Sequence, residues 1–184
     1  TAVSASGNVS GTAINTFFIK PNLYLVEPTE GSVGTIVTIT GSGYESMDVV
    51  TIDFGATPNI QQAAADNNGW FSSMFTVDTQ AFGTMVIRAT GGLSESAQNS
   101  FKIKPQVYSV SPSEGTVGSV VSVKGNGYAV IDVITIAFGT NSNIKKAIAN
   151  DYGTFETTFT IDTQVYGATS IIATGTSAGS AINS

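Results

Sequence analysis

The sequence predicts an all-β protein made of two tandem β-sandwiches, and three observations lead to this prediction. The chain has 184 residues, 41% of them hydrophobic, which is enough for one domain or two small ones with packed cores. Short apolar runs closed by Gly, Pro, Asn or Asp follow one another at roughly the 8–12-residue spacing of sandwiches and barrels. No stretch keeps a helical period over three turns, and a long segment of the chain occurs twice.

An internal repeat sets the domain organisation. Residues 21–100 align with 105–184 without a gap, at an offset of 84, and 38 of these 80 positions are identical. Residues 13–21 resemble 97–105, so the N-terminus carries part of a third copy. The predicted domains are an N-terminal extension over 1–20, a first repeat over 21–104, and a second repeat over 105–184 that lacks its last strand.

Alternation of apolar and polar residues places the strands. In Val50–Phe54 the apolar residues share one parity, so one face of this strand should lie in the core. Phe101 and Ile103 are expected to point inward, while the lysines that alternate with them point outward. Residues 61–65 are too short for a helix between Gly-rich signals and are interpreted as strand. The predicted strands lie near 22–26, 35–40, 49–54, 59–65, 70–77, 84–90 and 98–104, and again 84 residues later.

A spaced Pro-Gly-Val-Gly-Tyr pattern opens both repeats. In the first it comprises Pro28, Gly31, Gly34, Val37, Gly41, Gly43 and Tyr44, followed by Val50–Gly55. In the second it comprises Pro112, Gly115, Gly118, Val121, Gly125, Gly127 and Tyr128, followed by Phe138-Gly139. This pattern resembles the IPT/TIG domain over nearly the whole chain after Thr16. The resemblance implies an immunoglobulin-like fold and, for tandem copies in a Thr-rich chain of low charge, a microbial surface protein.

Composition excludes several classes of function. Only 11% of the residues are charged, and 13 acids against 7 bases give a net charge of −6. That balance argues against a nucleic-acid partner, which needs clustered Lys and Arg, and no apolar run is long enough for a membrane span. Cys and His are absent, which excludes disulfides, thiolate chemistry and a His-based triad. We expect no enzymatic activity and no cofactor, and an extracellular or cell-surface location.

The ends of the chain suggest how it assembles. The second repeat has no counterpart of Phe101–Lys104, so it is expected to expose an apolar groove and an unpaired edge. The extension carries a segment of the same type. The hypothesis is that this segment completes the second repeat of a neighbouring copy and gives a head-to-tail homopolymer, an extracellular filament or surface layer. The donor strand comprises Thr16, Phe17, Phe18, Ile19 and Lys20, and the acceptor groove comprises Val117, Val121, Thr169, Ile171 and Ala173.

Three alternatives stay open at this stage. The chain could be cut from a longer array in which the missing strand follows Ser184. Residues 1–20 could be a disordered remnant beside an open edge; under the exchange hypothesis, residues 1–12 are instead expected along an adjacent subunit. An alternative function is an adhesin or carbohydrate-binding module within a longer secreted protein.

A few polar and aromatic residues are weaker candidates for sites. Asp48 and Asp132 occupy equivalent positions and are the candidates for calcium, although no EF-hand-type loop is present. Asn8 lies in an Asn-Val-Ser sequon and is a candidate for a glycan. Trp70 is a possible sugar-stacking platform, but Thr154 replaces it in the second repeat, which favours a role as a solvent-side strand residue.

Overall fold

A computed structural model describes residues 1–8 and 11–183 and confirms the all-β prediction. These residues form 17 strands and contain no helix, and therefore none that is long and apolar enough to cross a membrane. The chain forms two tandem immunoglobulin-like β-sandwiches, preceded by a two-stranded hairpin.

Sandwich 1 is formed by the first repeat and has eight strands. A three-stranded sheet has the order β3-β5-β8 and faces a five-stranded sheet with the order β4-β10-β9-β6-β7. The strands are β3 (Asn22–Glu27), β4 (Glu30–Gly31), β5 (Ile36–Ser42), β6 (Val49–Phe54), β7 (Thr57–Ala64), β8 (Phe71–Thr76), β9 (Gly83–Gly91) and β10 (Ser96–Ile103).

Sandwich 2 is formed by the second repeat and has seven strands. Its sheets have the orders β11-β12-β15 and β14-β13-β16-β17. The strands are β11 (Gln106–Ser111), β12 (Val120–Asn126), β13 (Val133–Phe138), β14 (Asn141–Ile148), β15 (Phe155–Thr160), β16 (Ile171–Gly175) and β17 (Gly179–Asn183).

Strand parity fills the two cores as the sequence predicts. Val50, Ile52 and Phe54 are all fully buried in sandwich 1, whereas the residues between them are only partly covered. A buried tyrosine after the second long strand of each sandwich then ties one sheet to the other. The Tyr44 hydroxyl donates a hydrogen bond of 3.0 Å to the Ala89 carbonyl oxygen, and the equivalent bond in sandwich 2 has the same length. Each repeat therefore encloses its own core.

The N-terminal residues form a hairpin, so the alternative of a disordered remnant is wrong for the described part of the extension. β1 (Ala2–Gly7) and β2 (Gly11–Thr16) pair antiparallel with Ala5 opposite Ala13. The hairpins β9–β10 and β16–β17 have the same register, with Ala89 opposite Ala97 and Ala173 opposite Ala181. The hairpin is thus a structural copy of the last two strands of a repeat, which agrees with the partial copy seen in the sequence.

Candidate assembly surfaces

The last residues of the first repeat close one edge of sandwich 1. We call Phe101–Lys104 the closing segment. It pairs antiparallel with β9, with Phe101 opposite Met85 and Ile103 opposite Gly83, and it runs parallel to β4 on its other side. Phe101 and Ile103 are fully buried, and the Phe101 ring lies 6.0 Å from the Phe54 ring in an edge-to-face arrangement.

Main-chain and ionic contacts fix the other side of the closing segment. The Lys102 amide donates to the Thr29 carbonyl oxygen at 3.0 Å, and the Lys104 amide donates to the Gly31 carbonyl oxygen at 2.8 Å. The Lys104 ammonium group also hydrogen-bonds the Glu30 carboxylate and holds the pKa of that carboxyl below its usual value. Sheet pairing, apolar burial and one surface ion pair thus act on the same four residues.

The corresponding edge of sandwich 2 is uncovered among the described residues. β9 begins at Gly83, but its counterpart β16 begins only at Ile171, so residues 167–170 have no strand partner. Residues 114–115, which correspond to β4, likewise form no strand. Phe138 has an exposed fraction of 9%, whereas its counterpart Phe54 is fully buried. Over the described residues, this edge therefore has unpaired backbone and a thinner core than its counterpart in sandwich 1.

The structure divides the predicted acceptor residues into two groups. Val117 is exposed and Thr169 is half-buried, and Thr169 precedes the part of β16 that β17 pairs with. Val121, Ile171 and Ala173 are buried in the core of sandwich 2. Ile171 and Ala173 are paired with Asn183 and Ala181 from within the chain, so their inclusion at an open edge is wrong. The uncovered edge is shorter than predicted because β17 fills it as far as Asn183.

The predicted donor residues lie on the surface between the hairpin and sandwich 1. Phe17, Phe18 and Ile19 have exposed fractions of 64%, 74% and 54%. Thr16 is the last residue of β2 and pairs with Ala2, so the prediction that it belongs to a free donor strand is wrong. We call the remaining four residues, Phe17–Lys20, the donor segment.

Both ends of the donor segment have contacts within the chain. Phe17 exchanges two main-chain hydrogen bonds with Thr1, of 2.8 and 3.1 Å. The Lys20 ammonium group lies 3.4 Å from the Glu95 carboxylate, in an ion pair whose side chains are largely exposed. The two phenyl rings and the Ile19 side chain remain uncovered.

Sequence reasoning missed a contact between the two sandwiches. The Phe82 amide donates a 2.8 Å hydrogen bond to the Tyr128 carbonyl oxygen, and Phe82 packs against the core of sandwich 2. Gly153 makes this approach possible, because a Cβ at that position would lie 2.8 Å from Ala81 Cα. The Lys102 ammonium group lies 5.9 Å above the Phe82 ring centre. The only signal in the sequence is an apolar pair, Ala-Phe and later Val-Tyr, inside a loop that needs no apolar residue.

The calcium candidates are structural carboxylates. The Asp48 carboxylate accepts hydrogen bonds from the Leu93 amide and from the amide and hydroxyl of Ser94, and thereby holds the β9–β10 turn. Asp132 does the same for the β16–β17 turn, through Thr176, Ser177 and Ala178. Protein donors already occupy these oxygens, and this argues against calcium at either residue. No cluster of metal-ligating side chains occurs over 1–8 and 11–183.

Two further candidates are on the surface. The Trp70 indole nitrogen donates a 2.7 Å hydrogen bond to the Tyr24 hydroxyl, and both side chains are about half exposed. Asn8 is exposed, while the other two residues of its sequon lie outside the described part of the chain. Sugar stacking and glycosylation therefore stay predictions.

Comparison with known proteins gives fold-level likeness only. No protein-family model and no curated protein matches the chain, so the IPT/TIG resemblance stays a prediction. Similar solved structures include invasin, a bacterial integrin-binding protein, at 18% identity and a TM-score of 0.42, covering 89% of this chain and 38% of invasin. The BSP domain of a biofilm-associated protein has 16% identity and a TM-score of 0.30, and the match covers 89% of this chain and 28% of that protein's chain.

A third similar structure comes from a carbohydrate-utilisation system. SGBP-B from a xyloglucan utilisation locus of Bacteroides uniformis has 20% identity and a TM-score of 0.34, covering 89% of this chain and 48% of its own. This chain thus spans less than half the length of each of the three proteins. Identities below 25% and TM-scores below 0.5 leave these likenesses without weight for function.

Proposed function

We propose that this chain is a structural subunit of an extracellular filament or surface layer, and that copies join head-to-tail when the donor segment of one completes sandwich 2 of the next. The observation that carries the proposal is the different closure of two sandwiches whose repeats share 38 of 80 aligned residues. Sandwich 1 is closed by Phe101–Lys104, and within residues 1–184 the segment that matches it in sequence position is Phe17–Lys20.

The donor segment has the chemistry that the uncovered edge lacks. Phe17 and Ile19 occupy the repeat positions of Phe101 and Ile103, which are fully buried in sandwich 1. Antiparallel pairing in the register of sandwich 1 would place Phe17 opposite Thr169 and Ile19 opposite Gly167. Burial of two large apolar side chains contributes about 3–6 kcal/mol, and main-chain pairing adds direction and register.

Charge completes the match. In sandwich 1 the ion pair joins Lys104 to Glu30, and the repeat equivalents of these two residues are Lys20 and Glu114. A donated segment would therefore bring a lysine to the exposed Glu114, in exchange for its present contact with Glu95. This pair lies at the rim and sets register rather than affinity.

Donation of the segment also requires that contacts within the donor chain break. Phe17 must give up its two hydrogen bonds with Thr1, and these are replaced by bonds to the neighbouring edge. The β1–β2 hairpin cannot follow the donor segment into the sheet, because β17 of the acceptor already fills that strand position as far as Asn183. The hairpin must therefore lie elsewhere on the assembly.

Replacement of Phe17 tests the proposal. The wild-type chain is expected to form linear polymers, and Phe17→Asp is expected to abolish them, because a carboxylate cannot enter the apolar position that Phe101 models. Sedimentation and electron microscopy would measure assembly, and circular dichroism would confirm that the variant is folded. Ile148→Asp, which places the same charge on an exposed apolar residue of β14, is the control and should still assemble. Normal polymers from Phe17→Asp would overturn the proposal.

A binding module is the second candidate, and the exposed Trp70–Tyr24 pair favours it. Two adjacent half-exposed aromatic rings, held by a hydrogen bond of 2.7 Å, can stack on the apolar face of a sugar ring. Trp70 is the single tryptophan of the chain, so its fluorescence reports this site without interference. In this case soluble oligosaccharides would shift Trp70 emission in wild type, whereas Tyr24→Ala would weaken binding. An unchanged spectrum at saturating oligosaccharide would exclude this candidate.

A further inference from the structure

We propose a second contact at each junction between copies: Val165-Tyr166 of one copy docks on the Tyr44–Gly69 surface of the next, with Tyr166 under Phe18 of the donated segment. This inference rests on the proposed strand donation and adds a surface that donation alone does not require. It commits to a second copy of this chain as the partner.

The contact between the two sandwiches of one chain provides the model for this docking. Phe82 leaves the loop before β9 and donates its amide to the Tyr128 carbonyl oxygen at 2.8 Å. Ala81 lies against Gly153, which itself accepts a 3.0 Å hydrogen bond from the Tyr128 amide. The surface that receives the loop is therefore a tyrosine carbonyl beside a glycine.

The same arrangement of a tyrosine carbonyl beside a glycine is present on sandwich 1, where both residues are buried. The Tyr44 amide donates a 3.2 Å hydrogen bond to the Gly69 carbonyl oxygen, as Tyr128 does with Gly153. Gly69 has a positive φ of 73°, close to the 70° of Gly153. Over the described ranges, no backbone amide donates to the Tyr44 carbonyl oxygen. The three heavy atoms nearest to a Cβ built on Gly69 all belong to Tyr44, whereas Ala81 lies beside the equivalent position on Gly153.

The matching loop on sandwich 2 is fully exposed. Val165 and Tyr166 are the repeat equivalents of Ala81 and Phe82, and their exposed fractions are 88% and 106%. Two adjacent, fully exposed side chains of this kind offer an apolar contact to another surface. Within one chain, the loop of sandwich 1 thus contacts the Tyr–Gly site of sandwich 2. The loop of sandwich 2 and the Tyr–Gly site of sandwich 1 have no such partner among the described residues.

The linkers would transmit the geometry from one junction to the next. The Lys104 carbonyl packs so closely on Gly127 that a Cβ there would collide with it, and Gly127 has a positive φ of 71°. Lys20 is held in the same way against Gly43, which has a φ of 84°. Each linker thus makes the same contact with the sandwich that follows it. A donated Phe17–Lys20 would therefore orient sandwich 1 of the donor against sandwich 2 of the neighbour in the way that Lys104 orients sandwich 2 against sandwich 1 within one chain.

A replacement at one position supports the pairing of Phe18 with Tyr166. Lys102 lies over the Phe82 ring in the junction within the chain, and its repeat equivalent in the donor segment is Phe18. The Lys102 ammonium group over the Phe82 ring is thus replaced, at the proposed junction, by the Phe18 ring over the Tyr166 ring. Phe18 is 74% exposed, and its side chain would point away from the core that Phe17 and Ile19 enter. The aromatic contact accounts for an exposed phenylalanine that strand donation does not use.

Cross-linking between two single-cysteine chains tests this contact, because the wild-type chain has no cysteine. Phe18→Cys chains and Tyr166→Cys chains would be mixed, assembled and treated with a short thiol-specific bismaleimide. The expected product is a covalent dimer that contains one chain of each kind, identified by mass spectrometry of the linked peptides. A chain carrying both Lys102→Cys and Phe82→Cys is the matched control and should cross-link internally.

A concentration series provides the quantitative readout. Tyr166→Ala is expected to raise the concentration at which half of the chains assemble by about tenfold, because the junction loses a buried aromatic side chain. Tyr108→Ala, which removes an exposed tyrosine of β11, should leave that concentration unchanged.

The outcomes separate this contact from strand donation. If polymers form and the internal control cross-links, but no cross-link joins Phe18→Cys to Tyr166→Cys chains, the docking of Tyr166 is wrong. Strand donation is not contradicted by that result. A wild-type chain that forms no polymers at all would overturn donation, and the docking proposal with it.

Discussion

A chain extended by Phe-Lys-Ile-Lys directly after Ser184 is expected to stay monomeric and to stabilise sandwich 2 by about 3–6 kcal/mol. The added residues would continue β17 as Phe101–Lys104 continues the first part of β10, and would bury one phenylalanine and one isoleucine in the thinned core beside Phe138. Sedimentation would measure the loss of assembly, and urea denaturation would measure the free energy of unfolding.

The control extension is Ser-Lys-Ser-Lys, which offers the same backbone and charge without the apolar side chains. It should leave most of the assembly intact and give only a small gain in stability. An apolar extension that neither stabilises sandwich 2 nor suppresses polymers would show that this edge is not the joining surface.

The second large effect concerns a buried carboxylate. Asp132→Asn is expected to lower the free energy of unfolding by about 2–3 kcal/mol at neutral pH, because hydrogen bonds to a charged acceptor are lost in a site with almost no solvent. Asp132 has an exposed fraction of 4%, and its carboxylate accepts hydrogen bonds from Thr176, Ser177 and Ala178. Asp151→Asn, on an exposed turn of the same sandwich, is the control and should change stability by less than about 0.5 kcal/mol.

Asp132 also makes the free energy of unfolding depend on pH. Burial alone would raise the pKa of Asp132, but hydrogen bonds from Thr176 and the turn amides outweigh it and hold that pKa below its ordinary value of 3.8. The folded state thus binds the proton less tightly than the unfolded state, so the stabilisation is complete above about pH 4 and disappears as the pH falls through the lowered pKa. Urea denaturation at successive pH values should show a steep loss of stability below about pH 4 in wild type and a shallower loss in Asp132→Asn. Parallel curves for the two proteins would contradict this assignment.

The sequence predicted those features that follow from local pattern. Alternation in Val50–Phe54 reflects a strand with one buried face, and the structure buries all three apolar residues there. The repeat revealed the partial copy at the N-terminus, but the pairing of Ala5 with Ala13, which copies that of Ala89 with Ala97, was not predicted from it.

Features that depend on three-dimensional approach were not predictable in this way. Asp48 was interpreted as a possible metal ligand, since a sequence does not show that the amides of residues 93 and 94, nearly fifty positions away, converge on its carboxylate. The contact of Phe82 with Tyr128 was missed because it joins two separate cores and leaves no periodic signal. The predicted uncovered edge is too long, because only the pairing of Ile171 with Asn183 in the structure shows how far β17 reaches.

An electron cryo-microscopy reconstruction of the assembled protein is the most direct test of strand donation. We expect it to show Phe17–Lys20 of one copy running antiparallel to Gly167–Thr169 of its neighbour, with Phe17 and Ile19 inside sandwich 2. A reconstruction in which that edge stays uncovered, or is closed by a segment of its own chain while copies meet elsewhere, would contradict the account.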